Sequence, residues 1–171
     1  DACGMLLHHT DPLGNTTTNT YDNFYNLTSV SDALGNTTSY TYSPAGNITS
    51  ITDGEGYTTT FTYNNFNSLA QILNHDGSSI SYAYNEMGMQ TEVTNELGYA
   101  THYEHDARQR LTTITNCLGY SEETVYDAAG QIISQQNKNS EVTQYTYNTA
   151  GFLATITNPE GNIMNFTRSE E

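Results

Sequence analysis

Apolar residues in this chain recur in two alternating patterns. One run reads Ser39-Tyr40-Thr41-Tyr42, with aromatics on one side of an extended chain and hydroxyl residues on the other. It recurs as Phe61/Tyr63, Tyr82/Tyr84, Tyr103/His105, Thr124/Tyr126 and Tyr145/Tyr147. Alternation of aromatics with threonine is a strand signal. The second run sets aliphatic residues three apart, at Ile48/Ile51, Leu69/Ile72, Leu111/Ile114 and Leu153/Ile156. That spacing also suits a helix. Strand is the better reading, because the runs are short, β-branched and bounded by glycine. Two explanations of the odd spacing stay open: a bulge after Gly46, or burial on both faces.

Turn residues separate the runs at fixed intervals. Gly14, Gly35, Gly56, Gly77, Gly98, Gly119 and Gly161 lie 21 residues apart or twice that, with only Ser140 interrupting. Each closes a turn that opens with Asp11, Asp32, Asp53, Asn74, Asn95, Asn116, Asn137 or Asn158. A short side chain at the first position bonds the backbone two residues on, and Gly at the fourth supplies positive φ. A second turn opens at Asp22, Ser43, Asn64, Asn85, Asp106, Asp127 and Asn148. Its fourth residue is Gly in four copies but Tyr25, Asn67 and Gln109 in the others. Tyr and Gln tolerate positive φ poorly, so those two loops should be strained or of another type. The weakest copy is Gln135 to Ser140, where Gln replaces an aliphatic residue and Ser replaces Gly; looseness is expected there.

The expected fold is all-β: antiparallel β-hairpin repeats of 21 residues forming a curved ribbon. Residues 1–171 read as a single array of about eight repeats, already inside the repeat at Asp1-Ala2-Cys3-Gly4 and stopping at Arg168-Ser169-Glu170-Glu171. It is expected to be open at both ends and to come from a longer chain. Tyr42, Tyr63, Tyr84, Tyr126 and Tyr147 should form a ladder spaced two strands apart, roughly 9.6 Å. With the aliphatic residues they are expected to make a continuous apolar core.

Composition narrows the partners. Nineteen acidic residues against four basic ones give a formal charge of −15, which argues against nucleic acid or an anionic membrane surface. No apolar run approaches the roughly 20 residues of a membrane-spanning helix. Aromatics at fixed offsets argue against low-complexity disorder. Cys3 and Cys117 fall in turns at opposite ends of the repeat, so a bridge between them is not expected.

Candidate chemistry is sparse. His102, Glu104, His105 and Asp106 form the most reactive-looking cluster, and His102 and Glu104 should share a face. A metal is conceivable there, but Glu123, the next carboxylate on that face, lies two strands away, about 10 Å. The plainer reading is a solvated polar face with His105 standing in the tyrosine column. The Asp/Asn ladder from Asp11 to Asn158 could hold calcium, yet turn capping explains it fully. Asn-x-Thr sequons at Asn15, Asn26, Asn36, Asn47 and Asn165 matter only in a glycosylating host. No nucleophile–base pair, phosphate loop or acid pair stands out. No cofactor or enzymatic activity is expected.

The segment Tyr126-Asp127-Ala128-Ala129-Gly130-Gln131-Ile132 resembles the YD repeat of the RHS family, as does Tyr21-Asp22 with Leu27 and Val30. Asp32-Ala33-Leu34-Gly35-Asn36-Thr37-Thr38 matches that family's connecting turn. The family includes bacterial RHS polymorphic toxins, toxin-complex subunits and teneurins. The resemblance implies a ribbon spiralling into a hollow shell, often around a C-terminal toxin. Many members carry Arg after the turn Gly, where Asn47, Gln131 and Asn162 stand here. The Pro-rich closing segment with an aspartyl autoprotease is not matched, since Asp11-Pro12-Leu13-Gly14 is an ordinary turn. The implied role is an extracellular, secreted or surface scaffold. Its implied partners are neighbouring repeats, stacked copies of itself, an enclosed toxin or a glycan. The competing reading is an extracellular fibre or recognition module.

Overall fold

The structure, a computed structural model, describes residues 4–167, and these form strands and turns without a helix. The chain divides into two compact units, 1–82 and 83–171. The first carries β1 (His8–Thr10), β2 (Thr16–Tyr21), β3 (Leu27–Ser31), β4 (Thr37–Tyr42), β5 (Ile48–Thr52), β6 (Thr58–Tyr63) and β7 (Leu69–Leu73), then most of β8 (Ser79–Tyr84). The second carries β9 (Gln90–Thr94), β10 (Ala100–His105), β11 (Leu111–Thr115), β12 (Ser121–Tyr126), β13 (Ile132–Gln136), β14 (Val142–Tyr147), β15 (Leu153–Thr157) and β16 (Ile163–Asn165). Within each unit the strands follow chain order and pair antiparallel. The all-β hairpin repeat is therefore the fold.

Register explains the three-residue spacing of the aliphatics. Tyr40 faces Ile51 and Tyr42 faces Ile48, with a shift between Thr41 and Tyr42. Thr49 is the extra residue, so a bulge three positions past Gly46 returns Ile48 and Ile51 to one face. The same shift follows Thr20, Thr62, Glu104, Val125 and Thr146. Burial on both faces is not needed. One face thus carries the Tyr, Phe and aliphatic residues. The other, in the first unit, carries threonines and serines paired across strands: Thr20 with Ser29, Ser31 with Thr37, Thr41 with Ser50, Thr52 with Thr58.

The apolar stripe is not the core that its sequence suggests. No described residue is fully buried. The reason is architectural. Within each unit a strand has neighbours only to its left and right in the sheet, so an apolar side chain is shielded by its flanks and not from above. Half-burial still removes much of each ring and aliphatic chain from water, at roughly 25 cal/mol per Å².

Every described turn is built alike. The fourth residue donates its N–H to the first carbonyl, and the first N–H is donated to the carbonyl of the fifth, as in Gly35 to Asp32 (3.1 Å) and Asp32 to Asn36 (2.9 Å). This is a type I turn closed by a left-handed residue, which joins adjacent antiparallel strands. The Tyr25 and Gln109 loops are not of another type. They keep the same bonds, at 3.1 and 2.9 Å, and their residues sit at φ 67° and 66°. Hydrogen bonding along the hairpin outweighs the local cost of a side chain in that region. Ser140 does the same at φ 63°, so the weakest repeat retains its turn.

Candidate functional site

The most regular constellation is the tyrosine column. Each tyrosine ends the first strand of a hairpin, just before the bulge. From there its ring crosses to the preceding strand and its hydroxyl donates to a carbonyl 15 residues earlier. Tyr42 reaches Leu27 O at 2.8 Å, Tyr63 reaches Ile48 O at 2.8 Å, Tyr126 reaches Leu111 O at 3.0 Å and Tyr147 reaches Ile132 O at 2.7 Å. Tyr21 makes the same bond to Leu6 O at 3.1 Å. For Tyr42, Tyr63, Tyr126 and Tyr147 the accepting carbonyl belongs to the first residue of a strand, at the bulge that ends regular pairing. Each bond therefore satisfies a backbone group and ties one repeat to the one before. Burial, with Tyr40 and Asp22 nearby, pushes the Tyr42 phenol above its ordinary pKa, so the hydroxyl stays a donor.

The turn residues form two edges. Gly35, Gly56, Gly77, Gly98 and Gly119 sit at φ between 80° and 89°. The Asp32 carboxylate accepts from Leu34 and Asn36 N–H through one oxygen and from Asn36 Nδ2 through the other, at 2.7–2.9 Å. Asp53 accepts from the N–H groups of Glu55 and Tyr57. Side-chain bonds from Asn15, Asn26 and Asn36 hold Asp11, Asp22 and Asp32 below the usual carboxylate range. Each of these carboxylates thus serves its own turn. Successive turns on this edge also touch: the Tyr57 and His75 rings lie 4.2 Å apart, and a Cβ on Gly54 would stand 2.9 Å from that of Asn36.

His102 and Glu104 share a face of β10, but the structure pairs His102 with Glu92, Nδ1 to Oε2 at 3.2 Å. Thr94 Oγ1 holds the other Glu92 oxygen at 3.0 Å. Glu104 stands opposite Thr113, which stands opposite Glu123. Among the described residues no group of three or more His, Cys, Asp or Glu could hold a metal. Cys117 is an exposed free thiol; Cys3 lies outside the described residues.

Sequence reasoning missed one cluster. Arg110 lies in the position after the turn where Asn47 and Gln131 stand in other copies. Its guanidinium pairs with Asp106 through Nε (2.7 Å) and Nη2 (2.6 Å), lies 4.3 Å from the centroid of the Tyr126 ring and reaches Asp127 O at 3.3 Å. That bond from Arg110 keeps the Asp106 carboxyl below its ordinary pKa. Gln131 Nε2 makes a comparable forward bond to Gly151 O at 2.6 Å. The signal available was position: a long polar side chain one residue past the turn, with the next repeat's second turn opening 17 residues on.

Comparison with known proteins agrees with this geometry. A family profile described as RHS Repeat matches residues 1–37, 26–56, 42–72, 90–119 and 126–163. No curated protein matches the sequence. Among solved structures, the crystal structure of TcdB2-TccC3-TEV is similar over 91% of this chain at 18% identity and a TM-score of 0.64. The Photorhabdus luminescens Tc holotoxin pore is similar over 88% at 18% identity, also with a TM-score of 0.64. This chain spans only 10% and 9% of those two chains. At such identity the likeness establishes the shared fold.

Proposed function

The chain belongs to the RHS repeat family, and on that premise we propose that it is a wall segment: a structural, non-catalytic stretch of an extracellular β-sheet shell. In this reading the 171 residues are one continuous array whose partners are further repeats of a longer polypeptide, and the finished shell encloses a C-terminal toxin. The observation that carries the reading is the tyrosine–carbonyl bond repeated at a 15-residue separation in both units. Such a bond fixes repeat to repeat, which is what a wall requires. The turn glycines Gly35, Gly56, Gly77, Gly98 and Gly119, the turn acids Asp32 and Asp53, and Tyr42, Tyr63, Tyr84, Tyr126 and Tyr147 are its structural determinants.

The test is to produce the chain within its natural polypeptide, image the particles and challenge them with protease. A hollow particle that shields a fragment from digestion supports the reading. An extended particle that leaves all segments open to cleavage refutes enclosure. A fibre or recognition role has one observation in its favour. Turn-tip residues Leu13, Leu34, Leu97, Leu118, Phe24 and Phe66 are 68–89% exposed. Filaments of the isolated chain in micrographs would favour that alternative.

A further inference from the structure

The second unit supplies a template against which one groove of the first can be compared. There the Arg110 guanidinium lies among a carboxylate, a ring and a carbonyl: Asp106 Oδ2, Tyr126 and Asp127 O. Four 21-residue periods earlier the same three groups recur as Asp22, Tyr42 and Ser43 O. Tyr42 is anchored as Tyr126 is, its hydroxyl on Leu27 O at 2.8 Å against Leu111 O at 3.0 Å. The Asp22 carboxylate also holds its turn as Asp106 does, one oxygen accepting from two backbone N–H groups. The side chain between these groups is what differs. Asn26 stands where Arg110 stands, and its amide turns back to Asp22 Oδ2 at 3.0 Å.

Turned back in this way, Asn26 does not bridge to the next turn. A groove of about 600 Å³ opens there, lined by Asp22, Phe24, Asn26, Tyr42, Ser43 and Pro44. The turn glycines report the same opening. A Cβ on Gly130 would lie 3.7 Å from the Arg110 guanidinium, and one on Gly151 would lie 3.6 Å from the Gln131 amide. A Cβ on Gly46 would meet no atom within 4 Å. Asp106 and Asp127 are thus each followed by a long side chain that spans to the next turn, and Asp22 is not. Charge points the same way. Residues 1–82 hold seven Asp and Glu but no Lys or Arg, so this unit has no guanidinium of its own to bring to Asp22.

We propose that the groove between the 22–25 and 43–46 turns is a binding site for an arginine side chain of a partner polypeptide, whose guanidinium pairs with Asp22, stacks on Tyr42 and donates to Ser43 O. This goes beyond the wall reading and holds whether or not the wall encloses anything. The acceptors have capacity for it. Each carboxylate oxygen accepts two bonds, so Asp22 Oδ2 can take a guanidinium beside the Asn26 amide. Ser43 O accepts from Gly46 N–H and keeps a second lone pair. Arginine fits better than lysine, because a planar fork satisfies a carboxylate and stacks on a ring at once. The groove is wider than one side chain. Phe24, 84% exposed, and Pro44 give it apolar walls for the residues flanking the arginine, which favours a peptide segment over the free amino acid.

The experiment titrates the full chain with the blocked peptide Leu-Arg-Leu, with its Lys counterpart and with free arginine, following the ring resonances of Phe24 and Tyr42. The Arg peptide should shift them at millimolar concentration, and the other two should bind several-fold more weakly. Asp22→Asn should weaken binding about tenfold, the loss of a charge-assisted pair. It should keep the fold, since Asn64 and Asn85 open equivalent turns with the same backbone bonds. Asp32→Asn removes the same charge from the other edge of the unit and should leave binding unchanged. Asn26→Arg should occupy the groove from within, as Arg110 does in its own repeat. It should raise the melting temperature and weaken peptide binding about tenfold. No shift with the Arg peptide would overturn the proposal, as would equal binding of the Lys peptide or of free arginine. Equal losses from Asp22→Asn and Asp32→Asn, or undiminished binding by Asn26→Arg, would overturn it too.

Discussion

The two units share a backbone and differ in what they hang on it. In the first, the face opposite the aromatics is a field of hydroxyls that bond one another across strands: Thr20 to Ser29, Ser31 to Thr37 and Thr41 to Ser50, each at 2.6 Å. In the second, the equivalent face carries Glu92, His102, Glu104 and Glu123. The apolar face differs as well. Tyr40–Ile51 and Phe61–Ile72 pair in the first unit, as Tyr103–Ile114 and Tyr145–Ile156 do in the second, but the interruption is Asn19 facing Val30 in the first and the wholly polar Thr124 facing Gln135 in the second. Turn bonds and bulge positions are nevertheless the same in both. The comparison shows that the frame is set by turn chemistry and register, and that the side-chain layers can be exchanged above it.

The most severe way to break this comparison is to remove a column tyrosine from the regular unit. Tyr63→Ala loses a half-buried ring and the bond to Ile48 O, and should cost about 2 kcal/mol. Calorimetry should show a melting temperature lower by roughly 4–8 °C for a domain of this size. Tyr63→Phe, which keeps the ring, should lose about half as much. Next come the left-handed turn positions. Gly35→Val, at φ 87°, should destabilise by about 1–2 kcal/mol. Tyr25→Gly, at φ 67°, should stabilise by up to about 1 kcal/mol. Equal melting temperatures for both variants would show that these turns carry no strain.

The comparison is sharpened by rebuilding the second unit on the pattern of the first. Thr124→Tyr with Gln135→Ile restores an aromatic–aliphatic cross-strand pair. It should gain roughly 1 kcal/mol in denaturant titration, less what is lost with the Tyr145–Gln135 bond. Acid should separate the units in the opposite sense. Asp11, Asp22, Asp32 and Asp76 in the first unit and Asp106 in the second have lowered pKa values. A lowered carboxylate adds stability above its unfolded pKa and loses it as pH falls through the folded value. Protection of amides against exchange, relative to the unfolded chain at the same pH, should therefore fall below about pH 4, and more in the first unit than in the second. The smallest effect is expected from His102→Ala. Its contact with Glu92 is largely exposed, and the melting temperature should move by no more than about 1 °C.

Much of this was legible in the residues themselves. The Asx residue at each turn's start and the Gly at its fourth position act through local bonds, so their spacing alone reveals the hairpins. The aromatic alternation of Tyr40 and Tyr42 likewise reports a shared face. Other features depend on register between strands. The neighbour of His102 is Glu92, ten residues back on an adjacent strand, and not Glu104 on its own strand. Arg110 meets Tyr126 only because consecutive hairpins place the two turns side by side.

The sequence by itself determined period, turn type and the division of each strand into an apolar and a polar side. These follow from φ preferences and hydrogen bonds spanning a few residues, which act wherever the chain lies. Only the tertiary structure decided where the bulge falls, which carbonyl each tyrosine hydroxyl meets, and that the apolar stripe is half-shielded and not enclosed. Those outcomes depend on distances between strands and on whether a second layer covers the first, quantities that a periodic pattern along one strand does not contain.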